Sequence, residues 1–433
     1  MSGFKRRGIY FHDGFACDRP GHAPLGWDHA AWERQIRWLH ACGIDTIEFA
    51  TMLEFNRVPS TDLERRKIAD RQAILQLAHE LGMEFGYLLT NTVVSTVPYG
   101  REPGDQLCDR AVNLCPRVPG NFERSLANAL FYIDTYRNAD FFEEFAADWG
   151  GCTCGQCGVP DYLRYVRALA EAVPDKTLYA NTWCISYWGP DPVPHGWRNV
   201  FDQEIVGTRA VIAALETMPE NVGLGLPCHH LYRPLCFDAY GGRANTPRFP
   251  TADDLASVRA ARCPTLAWTH FVVDDDPYRP RAWGIVHSEV RYLRALLQTL
   301  RDAGIDAVMG NLYLPWLQLS NTFAFGQLLE NPDRDPRELL AEFARLVAHP
   351  ADADALTDVL VWLDNHSYWR EQLPIADRLP PLPSALDRDG AARLAATIRP
   401  NSNPPLPLPI TPDAWLAELR HSIGRMDWTK EKP

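Results

Sequence analysis

Eight short runs rich in β-branched and aromatic residues recur along the chain. They begin near Arg7 (RGIYFH), Ile44 (IDTIEFA), Glu84 (EFGYLLT), Asp140 (DFFEEFAAD), Lys176 (KTLYANTW), Val222 (VGLGLPC), Pro264 (PTLAWTHF) and Ile305 (IDAVMGNLYL). Their starts lie roughly 40 residues apart, with one gap near 55, and the intervals carry helical patterns. Such alternation is the βαβα order of parallel α/β proteins. Three helix ends share one signature: ACG at Gly43, ELG at Gly82 and DAG at Gly304, each followed directly by a strand-like run. Glycine just past a helix supplies the left-handed residue that closes it. In the first helix Asp28 stands at the N-cap position, and Trp32, Ile36 and Leu39 fall on one face.

Eight such units close naturally into a (β/α)8 TIM barrel, the α/β fold expected over residues 1–320. The competing architecture is a doubly wound open sheet, which usually carries a glycine fingerprint for a nucleotide after its first strand. Here that position reads FHDGFACD, with neither GxGxxG nor GxxxxGK[ST], so no organic cofactor is expected. Residues 321–373 (FAFGQLLE, PRELLAEFARLV, ALTDVLVWLDNHSYW) are helical in pattern and form an appended C-terminal region packed on the barrel. Ten prolines between Pro374 and Pro412 make 374–433 a proline-rich strap, extended apart from a short helical patch, and a terminal helix.

Among the 433 residues, 46% are hydrophobic and 23% charged, which fits a globular protein and excludes disorder or a fibrous repeat. A net charge of −12 disfavours nucleic acid and anionic membrane as partners. The start MSGFKRRGIYFHDGF has no apolar run of a secretory signal, and no stretch approaches a membrane span. A cytoplasmic location is therefore expected, where the eleven cysteines are buried thiols or metal ligands rather than a disulfide framework.

Barrel enzymes place their chemistry where the strands end, which singles out the residues closing each run. These are His12 and Asp13, Glu48, Asn91, Asp148, Trp183, His229 and His230, Trp268 and His270, and Asn311 and Tyr313. Indole faces stack on the apolar faces of a sugar, while His, Asn and carboxylates hold hydroxyls. His12, Asp13, Trp183, His229, His230, Trp268, His270, Asn311 and Tyr313 are accordingly the expected binding residues for a small carbohydrate. Arg and Lys are scarce at these positions, which suits a phosphate poorly.

Alternation turns Glu48 into the barrel, with Ile47 and Phe49 toward the helices. Applied to DFFEEFAAD, the same rule, with bulky residues outward, sends Phe141, Glu143 and Phe145 to the helices and Glu144 and Asp148 inward. Glu144 and Asp148 are four residues apart on one strand, about 13 Å, too far to flank one glycosidic bond at 5 to 9.5 Å. Asp148 and Glu48 are therefore the expected catalytic pair, with Glu144 in reserve. A buried carboxylate tying strands together is the alternative for Glu48 or Glu144. Cys152, Cys154 and Cys157 lie within six residues and can converge on a structural zinc, with Cys115 or Cys108 as the fourth ligand. A reduced, unligated thiol cluster is the alternative.

ADWGGCTCGQC, preceded by LCP at Cys115 and followed by YLRYVRALAEAV, resembles the fourth-strand region of barrel glycoside hydrolases. NTFAFGQLLENPDRDPRELLAEFARLV resembles the segment after the last strand in hexosaminidase-like and α-glucuronidase-like barrels. Together these regions cover about a fifth of the chain. In family 42 β-galactosidases a CxCxxC that helps bind a structural zinc follows an Asn-Glu acid/base; Ala147 and Asp148 stand there in this chain. That clan's strand-seven nucleophile has no counterpart in PTLAWTHFVVDDD, and the hexosaminidase Asp-Glu pair is missing. The resemblance implies hydrolysis of a small oligosaccharide or glycoside and leaves mechanism and substrate open. Two other readings share the same rim: a metal-dependent sugar isomerase, epimerase or lyase, and a non-catalytic sugar-binding barrel. Oligomeric state is not legible.

Overall fold

The structure, a computed structural model, describes residues 3–11, 24–50, 62–89, 115–146, 156–183, 185, 200–227, 252–261, 263–270, 285–312, 314–366 and 379–425. Eight parallel strands pair in sequence order and β8 returns to β1, closing a barrel. They are β1 (Arg6–Phe11), β2 (Thr46–Ala50), β3 (Glu84–Leu89), β4 (Phe141–Phe145), β5 (Thr177–Asn181), β6 (Val222–Pro227), β7 (Thr265–His270) and β8 (Ala307–Leu312). Between them run α1 (His29–Ala41), α2 (Asp62–Glu80), α3 (Asn121–Thr135), α4 (Val159–Ala172), α5 (Val200–Ala214), α6 (Ala252–Ala261) and α7 (Val290–Ala303). Together they form a (β/α)8 barrel carrying additional C-terminal helices.

Local signals set the boundaries. The Asp28 carboxylate accepts a hydrogen bond from the Ala31 backbone N–H at 2.8 Å, capping α1, and Trp32, Ile36 and Leu39 are buried. Gly43, Gly82 and Gly304 close α1, α2 and α7 at φ of 91°, 74° and 77°, a region that side chains with a Cβ enter at a cost. The sheet then starts within a few residues of each, so the three turns are short.

After β8 come α8 (Leu319–Glu330), α9 (Pro336–Val347), α10 (Ala353–Asn365), α11 (Arg388–Thr397) and α12 (Pro412–Arg425). The buried Asp364 at the end of α10 ties them to the barrel. Its carboxylate accepts from the Val290 backbone N–H (2.6 Å), the Ser288 hydroxyl (3.1 Å) and the Arg291 guanidinium, which places a negative charge at the N-terminus of α7. Proline-rich backbone lacks N–H donors, so the strap is held through its carbonyls. Arg291 donates to Leu379 and Pro380, Arg337 to Pro383 and Arg34 to Pro409, while Asn365 bonds both the N–H and the C=O of Leu382. Trp415 of α12 is fully buried edge-on to Phe343. No helix among the described residues is long and apolar enough to cross a membrane.

Candidate active site

Two layers fill the barrel. At the N-terminal end Arg6 bonds Glu84 and donates to the Tyr179 hydroxyl at 2.6 Å, its guanidinium lying 4.9 Å from the centre of the Phe141 ring. This plug closes the end opposite the functional rim. Toward the C-terminal end Tyr10, Phe145, Trp183 and Trp268 pack against one another, with Tyr10–Trp268 at 5.0 Å and Trp183–Trp268 at 5.3 Å between ring centres. Each of the four is less than a tenth exposed.

The interior also holds Glu48 of β2 and Glu143 of β4, both fully buried. The two carboxyls are close enough to influence each other, and Asn181 of β5 donates from Nδ2 to Glu143 Oε1. No N–H or O–H of another described residue reaches either oxygen of Glu48 or Oε2 of Glu143. Burial pushes the pKa of Glu48 well up, and the neighbouring Glu143 adds to the effect. Burial also raises Glu143, to about 7, with the bonds from Glu48 and Asn181 working in the opposite direction. Burial therefore favours the protonated form of both carboxyls.

Strand four faces the opposite way from the sequence expectation. Phe141, Glu143 and Phe145 point into the barrel, whereas Phe142, Glu144 and Ala146 point to the helices. The expectation that bulky side chains face outward failed because neighbouring strands make room with glycine. A Cβ on Gly86 would lie 2.1 Å from the Phe141 ring, one on Gly223 would meet the Tyr179 ring at 2.6 Å, and one on Gly225 would reach Glu143 Oε1 at 2.8 Å. Glycines at alternate positions in EFGYLL and VGLGLP were the available signal, since a large inward residue needs a small one beside it.

Glu144 is accordingly not part of the interior site. It is buried under α4, close to the hydroxyls of Tyr162 and Tyr165, and burial raises its pKa well above the usual carboxylate range. Glu143, which sequence reasoning had turned outward, takes its place. Trp183 and Trp268 are in the interior cluster rather than open to solvent, and Asn311 of β8 is buried in register with Tyr10. Cys115 and Cys157 lie with their sulfurs 3.7 Å apart on the rim side of α3 and α4. Asp148, His12, Asp13, His229, His230, Tyr313, Cys108, Cys152 and Cys154, and the side chain of His270, are outside the described residues.

No family model and no curated protein sequence matches the chain. Among solved structures it is similar to a GH138 enzyme targeting pectin rhamnogalacturonan II, with a TM-score of 0.52 and 11% identity over 84% of this chain and 44% of that one. It is also similar to an O-GlcNAc hydrolase mutant of Thermobaculum terrenum, with a TM-score of 0.50 and 13% identity over 97% of this chain and 82% of that one. The chain thus spans less than half the length of the first structure. What these likenesses show is the fold alone, an eight-stranded (β/α)8 barrel.

Proposed function

We propose that the protein is a glycoside hydrolase acting on a small oligosaccharide or glycoside. The observation that carries this reading is the pair of fully buried carboxyls Glu48 and Glu143 inside the barrel, where burial raises the pKa of Glu143 to about 7. An acid that must protonate a leaving glycosidic oxygen works best with a pKa near the working pH, and burial of a carboxyl is the usual way to achieve that.

Two carboxyls that act directly on each other leave no room between them for a glycosidic bond. Glu48 and Glu143 therefore act together as one acid/base unit. The opposing carboxylate, which attacks the anomeric carbon or activates water, must come from elsewhere, and we assign it to Asp148. In this reading the buried cluster of Tyr10, Trp183 and Trp268 supports the site from below, Asn311 holds a hydroxyl, and His12, Asp13, His229, His230, His270 and Tyr313 form the binding rim.

A panel of nitrophenyl glycosides and natural oligosaccharides tests the proposal. On a cleaved substrate, Glu48→Gln, Glu143→Gln and Asp148→Asn should each lower turnover by at least ~100-fold with folding intact, the usual cost of removing an acid/base group. Glycan binding without product release would make the chain a sugar-binding barrel. Near-normal turnover in the glutamate variants would remove the pair from the chemistry.

A further inference from the structure

Asn181 of β5 is fully buried, and its carboxamide is held from both sides. The Trp183 backbone N–H donates to Asn181 Oδ1 at 2.7 Å, and Asn181 Nδ2 donates to Glu143 Oε1. A backbone N–H can only donate, so the carboxamide oxygen must face Trp183 and the amide cannot be flipped. The NH2 group is thereby turned to Glu143, and it too can only donate. The carbonyl oxygen of a carboxylic acid is a better acceptor than its hydroxyl oxygen. A protonated Glu143 therefore keeps Oε1 as the acceptor and carries its hydrogen on Oε2.

The surrounding chain fixes this arrangement. The Asn181 carbonyl accepts from the Tyr162 hydroxyl at 2.9 Å, and the Thr182 N–H donates to the Gly225 carbonyl at 3.1 Å, which pins the end of β5 between α4 and β6. A Cβ on Gly225 would lie 2.8 Å from both Glu143 Oε1 and Asn181 Cα, so β6 leaves room for the bond by having no side chain there. The other ionisable groups facing Glu143 are Glu48 on β2, Tyr179 on β5 and Tyr162 on α4. Tyr179 in turn accepts from Arg6, which pairs with Glu84. Burial pushes Tyr179 up to about 12 and Tyr162 well above its usual range, so both phenols are neutral near pH 7. Among the described residues the Asn181 amide is the N–H donor that reaches Glu143.

We propose that Asn181 is the positioning residue of the interior site: locked by Trp183, it keeps the proton of Glu143 on Oε2 and steadies the carboxylate left when that proton departs. A hydrogen bond to a charged acceptor is stronger than one to a neutral acceptor. The same N–H therefore favours the ionised form and opposes the rise caused by burial. Without it Glu143 would hold its proton to higher pH. The location of the proton stands by itself, whereas its use in catalysis rests on the glycosidase reading. On that reading the proton passes from Oε2 to the leaving glycosidic oxygen, and the electron pair of the O–H bond stays on Glu143. The anomeric C–O bond breaks with its electron pair on the leaving oxygen, and Asn181 Nδ2 stabilises the carboxylate so formed.

Nuclear magnetic resonance of the wild-type full chain reads the bond directly and needs no variant to fold. The Asn181 side-chain NH2 signals, assigned through its backbone, should move with pH at a midpoint of about 7 as the acceptor changes charge. Signals that stay still between about pH 5 and pH 9 overturn the proposal. Asn181→Leu, similar in size but without the donor, should raise the midpoint of the Glu143 carboxyl carbon by about one pH unit or more. An unchanged or lower midpoint in the folded variant overturns the positioning role, because a residue that only packs would alter the melting temperature and leave the midpoint in place. On a cleaved glycoside the alkaline limb of kcat/KM, where the acid loses its proton, should move up by the same amount. Since both midpoints are read without substrate, a shifted titration in a protein that cleaves no glycoside would overturn only the glycosidase reading.

Discussion

Replacing Glu143 by glutamine removes the carboxyl of the interior pair that titrates near neutrality while keeping its shape. Folding raises its pKa from 4.5 to about 7, with burial as the largest cause. Between those two values the folded chain binds more protons at this position than the unfolded chain does. Stability from this group is therefore fully present below about pH 4.5 and is lost as pH rises through about 7. The gap, at 1.36 kcal/mol per pH unit, amounts to roughly 3 kcal/mol. In Glu143→Gln the amide oxygen still accepts from Asn181 and the amide N–H donates to Glu48, so the variant lacks this pH-dependent loss. Relative to wild type it should gain roughly 2.5 kcal/mol between about pH 5 and pH 8, since part of the loss already falls below pH 5. With an unfolding entropy of about 2.1 cal/mol/K per residue over 433 residues, this corresponds to a Tm difference that grows by about 3 °C. Calorimetric scans of both proteins at the two pH values measure it, since groups away from the pair cancel in the difference. A change below about 1 °C would refute the linkage, and a change of opposite sign would mean that Glu143 is held charged in the folded chain.

Two further substitutions probe the packing around the pair. Trp183 is 5% exposed and stacks on Phe145 at 6.3 Å, so Trp183→Ala should cost about 3–5 kcal/mol in chemical denaturation. A loss under about 1 kcal/mol would show an indole open to the pocket, as the sequence alone had suggested. Gly225→Ala would place a methyl 2.8 Å from both Glu143 Oε1 and Asn181 Cα. It should destabilise by about 1–3 kcal/mol and lower turnover on any confirmed substrate; unchanged stability and turnover together would show that the carboxyl can move aside freely.

What the amino-acid sequence determined by itself was the order and spacing of the elements. Strand-like runs, the Asp28 cap and the glycines at 43, 82 and 304 act within a few residues of themselves, and all eight strands appear where these signals lie. Eight βα units of similar length then leave few alternatives to a closed barrel. The expected barrel chemistry at strand ends was likewise local, and it singled out Glu48 correctly as an inward residue of β2.

The facing of β4 was a different matter. Both sides of this strand are buried, so FFEEF offers no contrast between apolar and polar positions by which to choose a side. The choice was made by strands distant in sequence, where Gly86, Gly223 and Gly225 vacate the space that Phe141, Tyr179 and Glu143 occupy. For the same reason the meeting of Glu48 with Glu143, 95 residues apart, could not be read from spacing along the chain. Barrel closure brings such residues together, and the low-dielectric interior then raises the pKa of both carboxyls above the values they would have in water.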